Sequence, residues 1–345
     1  MTILSINCHI FRDSGHVTLE KLSVSNPRFI SVIVPTFNRP VLLGEAVESI
    51  RALEGTDFQF EILVCDNGQA RETQSVADRY GAKYIPVPTK GAGSARNAGL
   101  NAATGEFIAF LDDDDVWMKG HLRGHVELLD STPDLDAVLA QVVSTDSDLK
   151  PIGDPWPKEH PGEGNALVRK MLSGYFPQIG SVLVRSTARG RIGLFDNRLT
   201  GGQDLDWMLR IARQHKLGFV SVPSVLFRTK PDGVYDEVYR RRAHFDRVVF
   251  LRHALSDWRI WKSPQQFLQA YTGTLSYFFW YFNSVALTHA QNGNPKYALR
   301  AISAAYYVFP MRAFYHTIFG KNLGKALLLV LRQWTREKLS KRGGA

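Results

Sequence analysis

The chain has 345 residues, of which 44% are hydrophobic, 22% charged and 11% aromatic, a mix that excludes a disordered tail, a small disulfide knot and a lone binding module. Two cysteines, Cys8 and Cys65, show no CxxC or Cys/His spacing, so neither a disulfide framework nor a structural zinc site is legible, and a reducing compartment fits. The net charge of +9 is uneven: residues 228–345 carry 19 Lys and Arg against 6 Asp and Glu, a balance of +13, which leaves residues 1–227 at −4.

Residues 1–28 carry no chemical signal and no continuous apolar run of a secretory leader, so they read as an N-terminal extension. From Phe29 short β-branched runs alternate with helical spacing. ISVIV (30–34) predicts a strand stopped by Pro35, and Pro40 opens a helix in which Val41, Leu42, Ala46, Val47, Ile50 and Leu53 share a face. FEILVC (60–65) is the next strand, 71–80 a helix, 83–87 a third strand, 94–103 a helix ended by Gly105, and FIAFL (107–111) a fourth strand. This alternation predicts a mostly parallel α/β sheet with its ligand crevice at the carboxyl ends of the strands. The polar clusters Pro35 to Asn38, Asp66 to Gly68 and Asp112 to Asp115 follow strands one, two and four.

Asp112 to Asp115 are four consecutive carboxylates. They repel one another, and a divalent ion held against phosphate oxygens is a usual neutraliser; the competing reading is a solvated acidic turn before a helix starting near Val116. The Gly91 to Asn97 segment leads into a helix and admits close approach of backbone N–H groups to a phosphate, or serves only to join strand to helix. Arg96 beside a diphosphate would form charge-assisted hydrogen bonds. Asp204 and Asp206 open a helical pattern at 201–212, where a carboxylate either takes a proton or satisfies free helix N–H groups. Trp117 and Trp207 read as core, and His121 and His125, one helical turn apart without a third ligand, as an amphipathic surface pair.

The runs VIVPTFNRP, ILVCDNG and GAGSARNAGLNAATGEFIAFLDDDDVW keep an order and spacing that resemble the family 2 glycosyltransferases, over about residues 30–227. The resemblance implies the GT-A fold, a Rossmann-like mixed α/β sheet with helices on both faces, for residues 29–228, followed by a helical basic C-terminal region, 229–345. It implies an inverting transfer from a UDP-, GDP- or dTDP-sugar to a glycan or lipid-linked hydroxyl. In that frame Pro35, Thr36 and Asn38 line the nucleoside pocket, Asp66 bonds the base, and Arg96, Asn97 and Asp113 lie at the donor. Asp112 and Asp114 form a DxD pair holding Mn2+ or Mg2+, and Asp204 is the general base. Two departures stand: Cys65-Asp66-Asn67-Gly68 where the family often has Asp-Asp-Gly-Ser, and Gln203 where it usually has Glu. The alternatives are a sugar nucleotidylyltransferase, which needs a Gly-rich basic loop where this chain has PTFNRP, and a catalytically silent sugar-binding scaffold.

After a last strand at 220–227 the composition changes. Residues 228–259 read as charged and helical with a basic cluster at Arg240 to Arg242, and Phe267, Tyr271, Leu275, Phe278, Phe282 and Val285 mark an amphipathic helix. Tyr277 to Phe282 is aromatic at all six positions, too many for one buried stripe. Gly293 to Pro295 breaks the pattern before a second helix at 297–308. The stretch 262–296 is too interrupted by polar residues to span a membrane. A final helix, about 323–339, sets Leu327, Val330, Leu331 and Trp334 against Lys325, Arg332, Arg336 and Lys338; it is either an in-plane helix on anionic lipid or a domain-packing helix. A cytoplasmic chain, peripheral on the inner face of the membrane and without a nucleic-acid partner, is the expectation.

Overall fold

The computed structural model describes residues 26–214, 216–229, 236–319 and 321–342, and the side chains of 236–240 and 337–342 are left aside. The N-terminal extension up to residue 25, with Cys8, and the side chains of Arg240 and Lys338 therefore lie outside the described residues.

Among the described residues eight strands form one mixed sheet: β1 (Arg28–Thr36), β2 (Phe58–Asp66), β3 (Lys83–Pro86), β4 (Phe107–Phe110), β5 (Val116–Trp117), β6 (Ala137–Thr145), β7 (Leu183–Arg185) and β8 (Leu217–Arg228). Their spatial order is β3-β2-β1-β4-β7-β6-β8-β5. The β3-β2-β1-β4 half is parallel, as the βα alternation requires; β7 runs antiparallel to both β4 and β6, and β8 returns parallel to β6. The sheet is thus mixed, as the resemblance implies, with the parallel pairing of the first four units intact. Val116–Trp117 is a short strand against β8, not the start of a helix.

Period-two alternation divides the parallel strands between two cores. Ile33, Leu63, Cys65, Ile108 and Phe110 face one side; Ile30, Val32, Val34, Ile62, Val64 and Phe107 face the other. The helices α1 (Pro40–Arg51), α2 (Arg71–Arg79) and α4 (Arg123–Ser131) contribute to the second core, and α3 (Ala92–Ala102), α5 (Gly164–Leu172) and α7 (Gln203–Ala212) to the first. A short α6 (Arg189–Ile192) precedes α7. Gly99 is where α3 meets the sheet: a Cβ there would lie 2.4 Å from Ile33 Cγ2 and 3.1 Å from Cys65 Sγ. This close approach fixes the height of α3, and therefore the position of Arg96, one turn earlier.

His121 and His125 are both fully buried, which corrects their reading as a surface pair. His121 packs on Trp117 with ring centroids 4.3 Å apart, and His125 lies 4.9 Å from His121. Burial holds both rings well below the ordinary imidazole range, His125 at about 4. Trp117 and Trp207 are core residues, as their type suggests.

The C-terminal region is helical: α8 (Asp236–Ser256), α9 (Pro264–Gln291), α10 (Pro295–Val308), α11 (Pro310–Ile318) and α12 (Asn322–Arg342). Pro264, Pro295 and Pro310 each stand at a helix start, where their missing N–H costs nothing. The bundle has its own core of Phe278, Phe279, Phe282, Ala301, Ala305, Leu323 and Val330. Val249, Phe250, Ala254 and Trp261, by contrast, complete the core under the sheet, so packing continues across residue 228 without a gap. No described helix is long and apolar enough to cross a membrane.

Candidate functional site

The carboxyl ends of β1, β2 and β4 and the start of α7 meet at one edge. Here the acidic quartet resolves into four separate environments. Asp113 is fully buried, accepts the Thr36 hydroxyl at 2.6 Å and pairs with Arg39, which also donates to Asp114 at 2.7 Å. Burial, opposed by Arg39 and Thr36, raises Asp113 to about 6. Asp115 accepts the Arg228 backbone N–H at 2.9 Å and the Gln178 amide at 3.0 Å, and burial, then Asp112 and Asp114, hold it well above the ordinary range. Asp112 pairs with Arg96 at 2.7 Å.

Part of the neutralisation thus comes from arginines of the chain itself, Arg39 and Arg96. Asp113, expected at the donor, lies sealed beneath the site as a clamp between β1 and the loop after β4. Arg39, the Arg of PTFNRP, was invisible as its partner because the pairing spans more than seventy residues.

Arg96 is the unusual group. Its side chain is 4% exposed, only Nη2 has a carboxylate partner, and its Nε and Nη1 are buried without any. Burial alone would lower its pKa, but Asp112 and then Asp204 keep it raised. Two unpartnered guanidinium nitrogens, with three N–H groups between them, cost free energy unless an acceptor reaches them. Gln203, which packs near Gly93 at the start of α3, also has a buried side-chain oxygen without a partner. Asp204, on the first turn of α7, is the second carboxylate near the Arg96 guanidinium.

Asp204 is half-buried and accepts its own helix's Leu205 N–H at 2.9 Å. Behind it stands Asp246 of α8, which sequence reasoning missed. Gly202, at φ +66°, leaves room for that carboxylate: a Cβ there would lie 2.6 Å from Asp246 Oδ1. Burial, relieved by Arg242 and reinforced by Asp204, raises Asp246 to about 7. Asp206 points elsewhere, into an ion cluster with Arg252 at 2.8 Å, His253 at 3.0 Å and Arg210 at 3.4 Å. That cluster borders a cavity of about 700 Å³ that neither Arg96, Asp112 nor Asp204 lines. Asp206 ties α7 to α8.

Other expected residues divide. Pro35 and Thr36 are buried at the end of β1, and Asn38, exposed at φ 52°, lies over Gly68, so the loops after β1 and β2 touch. Asp66 is fully buried and accepts Gly68 N–H at 2.6 Å, Tyr84 OH at 3.1 Å and Ala70 N–H at 3.2 Å, leaving about one of its four lone-pair positions. Asn97 lies one residue after Arg96 on α3 and is held by the 195–197 loop. Its amide donates to Phe195 O and Asn197 Oδ1, both at 3.0 Å, and accepts Phe195 N–H at 2.8 Å, stapling α3 to the 195–197 loop.

Among the described residues no three His, Cys, Asp or Glu side chains gather into a metal site. Asp112 and Asp114 nevertheless offer two hard carboxylates at the site edge. A magnesium-like ion is commonly bound by one or two carboxylates with phosphate oxygens completing the shell, so the donor chemistry fits.

Residues 31–200 match the family described as Glycosyl transferase family 2. A GalNAc(5)-diNAcBac-PP-undecaprenol beta-1,3-glucosyltransferase of Campylobacter jejuni is 42% identical over 100 residues, 27% of this chain and 32% of that one. An Escherichia coli UDP-Glc:alpha-D-GlcNAc-diphosphoundecaprenol beta-1,3-glucosyltransferase is 33% identical over 104 residues, 29% of this chain and 40% of its own. The matches thus span well under half of those two relatives. The crystal structure of S. aureus TarS 1-349 superposes with TM-score 0.54 at 18% identity over 92% of both chains, and its complex with UDP-GlcNAc with TM-score 0.53 at 17% identity over 85% of this chain and 92% of that one. Sequence and fold agree: this chain carries a family 2 glycosyltransferase domain of the GT-A fold.

Proposed function

We propose that the chain transfers a sugar, with inversion, from a nucleoside-diphosphate sugar to a hydroxyl of a lipid-linked glycan at the inner face of the cell membrane. The buried Arg96, with two nitrogens unpartnered and Asp204 nearby, carries this reading. A diphosphate is an acceptor-rich anion that would satisfy them, and the printed names of two relatives place undecaprenol-linked sugars among their substrates. In this reading Asp66 and Asn38 face the nucleoside. Asp204 takes the proton of the attacking hydroxyl as its oxygen bonds to the anomeric carbon and the bond to the diphosphate breaks on the opposite face. Arg96 stabilises the charge gathering on the departing diphosphate, in a setting shielded from water. Asp112 and Asp114 would hold Mn2+ or Mg2+, which supplies further screening of that charge when bound.

The test is release of nucleoside diphosphate from UDP-, GDP- and dTDP-sugars with a polyprenyl-diphosphate-linked sugar present, with Mn2+ or Mg2+ and again with EDTA. Acceptor-dependent release from one donor class, lost in EDTA, is expected. Donor binding without acceptor-dependent release under any condition would favour the silent scaffold.

A further inference from the structure

The C-terminal bundle exposes a face that its own core does not need. On α11, Ala313 and His316 are buried, while Met311, Phe314, Tyr315 and Ile318, with Phe319 directly after, are exposed, Met311 at 78% and Phe319 at 66%. The spacing i, i+3, i+4, i+7, i+8 is a continuous apolar stripe turned outward. Trp280 of α9, half exposed, extends it: its ring lies 5.1 Å from that of His316. On α12, Leu323, Ala326 and Val330 pack inward, whereas Leu328, Leu331 and Trp334 are exposed. The last helix is therefore both a packing helix and a surface one, and α11, which sequence reading passed over, carries the larger apolar face.

Charge says what covers this face. Residues 264–345 hold ten Lys and Arg and a single acidic residue, Glu337. Lys321 lies over the Tyr315 ring at 5.1 Å, Arg312 within 5.8 Å of the Trp280 ring, and Lys325, Arg332 and Arg336 are exposed along α12. A second copy of the chain would bring like charges together around the same stripe, which is costly. An anionic lipid surface instead complements the basic rim and receives the aromatic stripe at the headgroup level, where Trp and Tyr rings with one wet end are favoured.

We propose that the outer face of α11, continued by Trp280 and by the exposed side of α12, is a lipid-docking surface on which the chain lies in the plane of an anionic membrane. The proposal adds to the functional reading the element that brings a lipid-linked acceptor within reach. Its test reads lipid binding and not transfer, so either can fail alone.

The full chain is sedimented with vesicles of phosphatidylcholine alone and of equal parts phosphatidylcholine and phosphatidylglycerol, at low and high salt. Binding is expected to the anionic vesicles, weakened by salt as the Debye length shortens. The triple variant Phe314→Ser, Ile318→Ser, Phe319→Ser should lose about tenfold or more in vesicle affinity, with an unchanged circular dichroism spectrum and unfolding midpoint because all three side chains are exposed. Ile152→Ser, an exposed apolar position outside the bundle, should bind as wild type. Three results would overturn the proposal: a wild-type chain that stays in the supernatant at low salt, a folded triple variant that binds as well as wild type, or a wild-type dimer in light scattering that the triple variant renders monomeric.

Discussion

Removing the negative charge of Asp112 tests the Arg96 pair, because Asp112→Asn leaves a guanidinium that is 4% exposed facing a neutral amide. At 2.7 Å and an effective dielectric of about 20, the gross attraction is about 6 kcal/mol. Asp112 is 27% exposed, so solvent screens part of this, and desolvation of Arg96 offsets more. A net coupling of about 2 to 3 kcal/mol remains. Arg96→Met keeps the stem and removes the charge, and should cost less than Asp112→Asn, because a partly exposed carboxylate rehydrates where a buried cation cannot. The double variant should be less destabilised than the sum of the singles by that coupling. Urea unfolding of the four proteins without nucleotide measures it. Additivity within about 0.5 kcal/mol would show that the pair contributes nothing and that Arg96 is neutralised elsewhere.

Two further outcomes follow from packing and protonation. Gly99→Ala places a methyl 2.4 Å from Ile33 Cγ2, so α3 must lift or Ile33 must leave its rotamer, at a cost of about 1 to 3 kcal/mol; an unfolding midpoint equal to wild type would mean that α3 does not sit where described. The buried histidines stay neutral in the fold while the unfolded chain protonates below about 6.5, so their contribution to stability is present above that pH and lost as pH falls toward the folded value of about 4 for His125. That gap corresponds to about 3 kcal/mol at its lower end. Asp246, raised to about 7 by burial, works in the opposite direction, so the comparison is made with His125→Gln, whose stability should fall less steeply between these limits; parallel curves would refute the assignment.

The parallel half of the sheet was legible because each strand is a short apolar run cut off by proline, glycine or acidic residues, with helical spacing between. The middle of the chain was not. Ala137–Thr145 carries no polar alternation, being buried on both faces for most of its length, and Leu183–Arg185 is too short to show any period. The quartet was legible as a cluster, but its pairing with Arg39 was not, since that arginine lies more than seventy residues earlier in the chain. His121 and His125 looked like a surface face by type, and their burial depends on Trp117 against His121 and on the Ser181 carbonyl that meets His125. Asp246 lies more than forty residues after Asp204, on a helix whose hydrophobic pattern gives no hint of a buried carboxylate. The place of Asp204 at a helix start was legible in the sequence.

Asp204→Asn tests the central claim most directly, with donor binding followed by calorimetry and acceptor-dependent transfer followed in the same preparation. The amide keeps the shape at the start of α7 but cannot take a proton. Transfer should fall by about two to four orders of magnitude while nucleotide-sugar affinity stays within a few fold of wild type. Loss of donor affinity together with activity, or transfer unchanged by the substitution, would contradict the assignment of Asp204 as the general base.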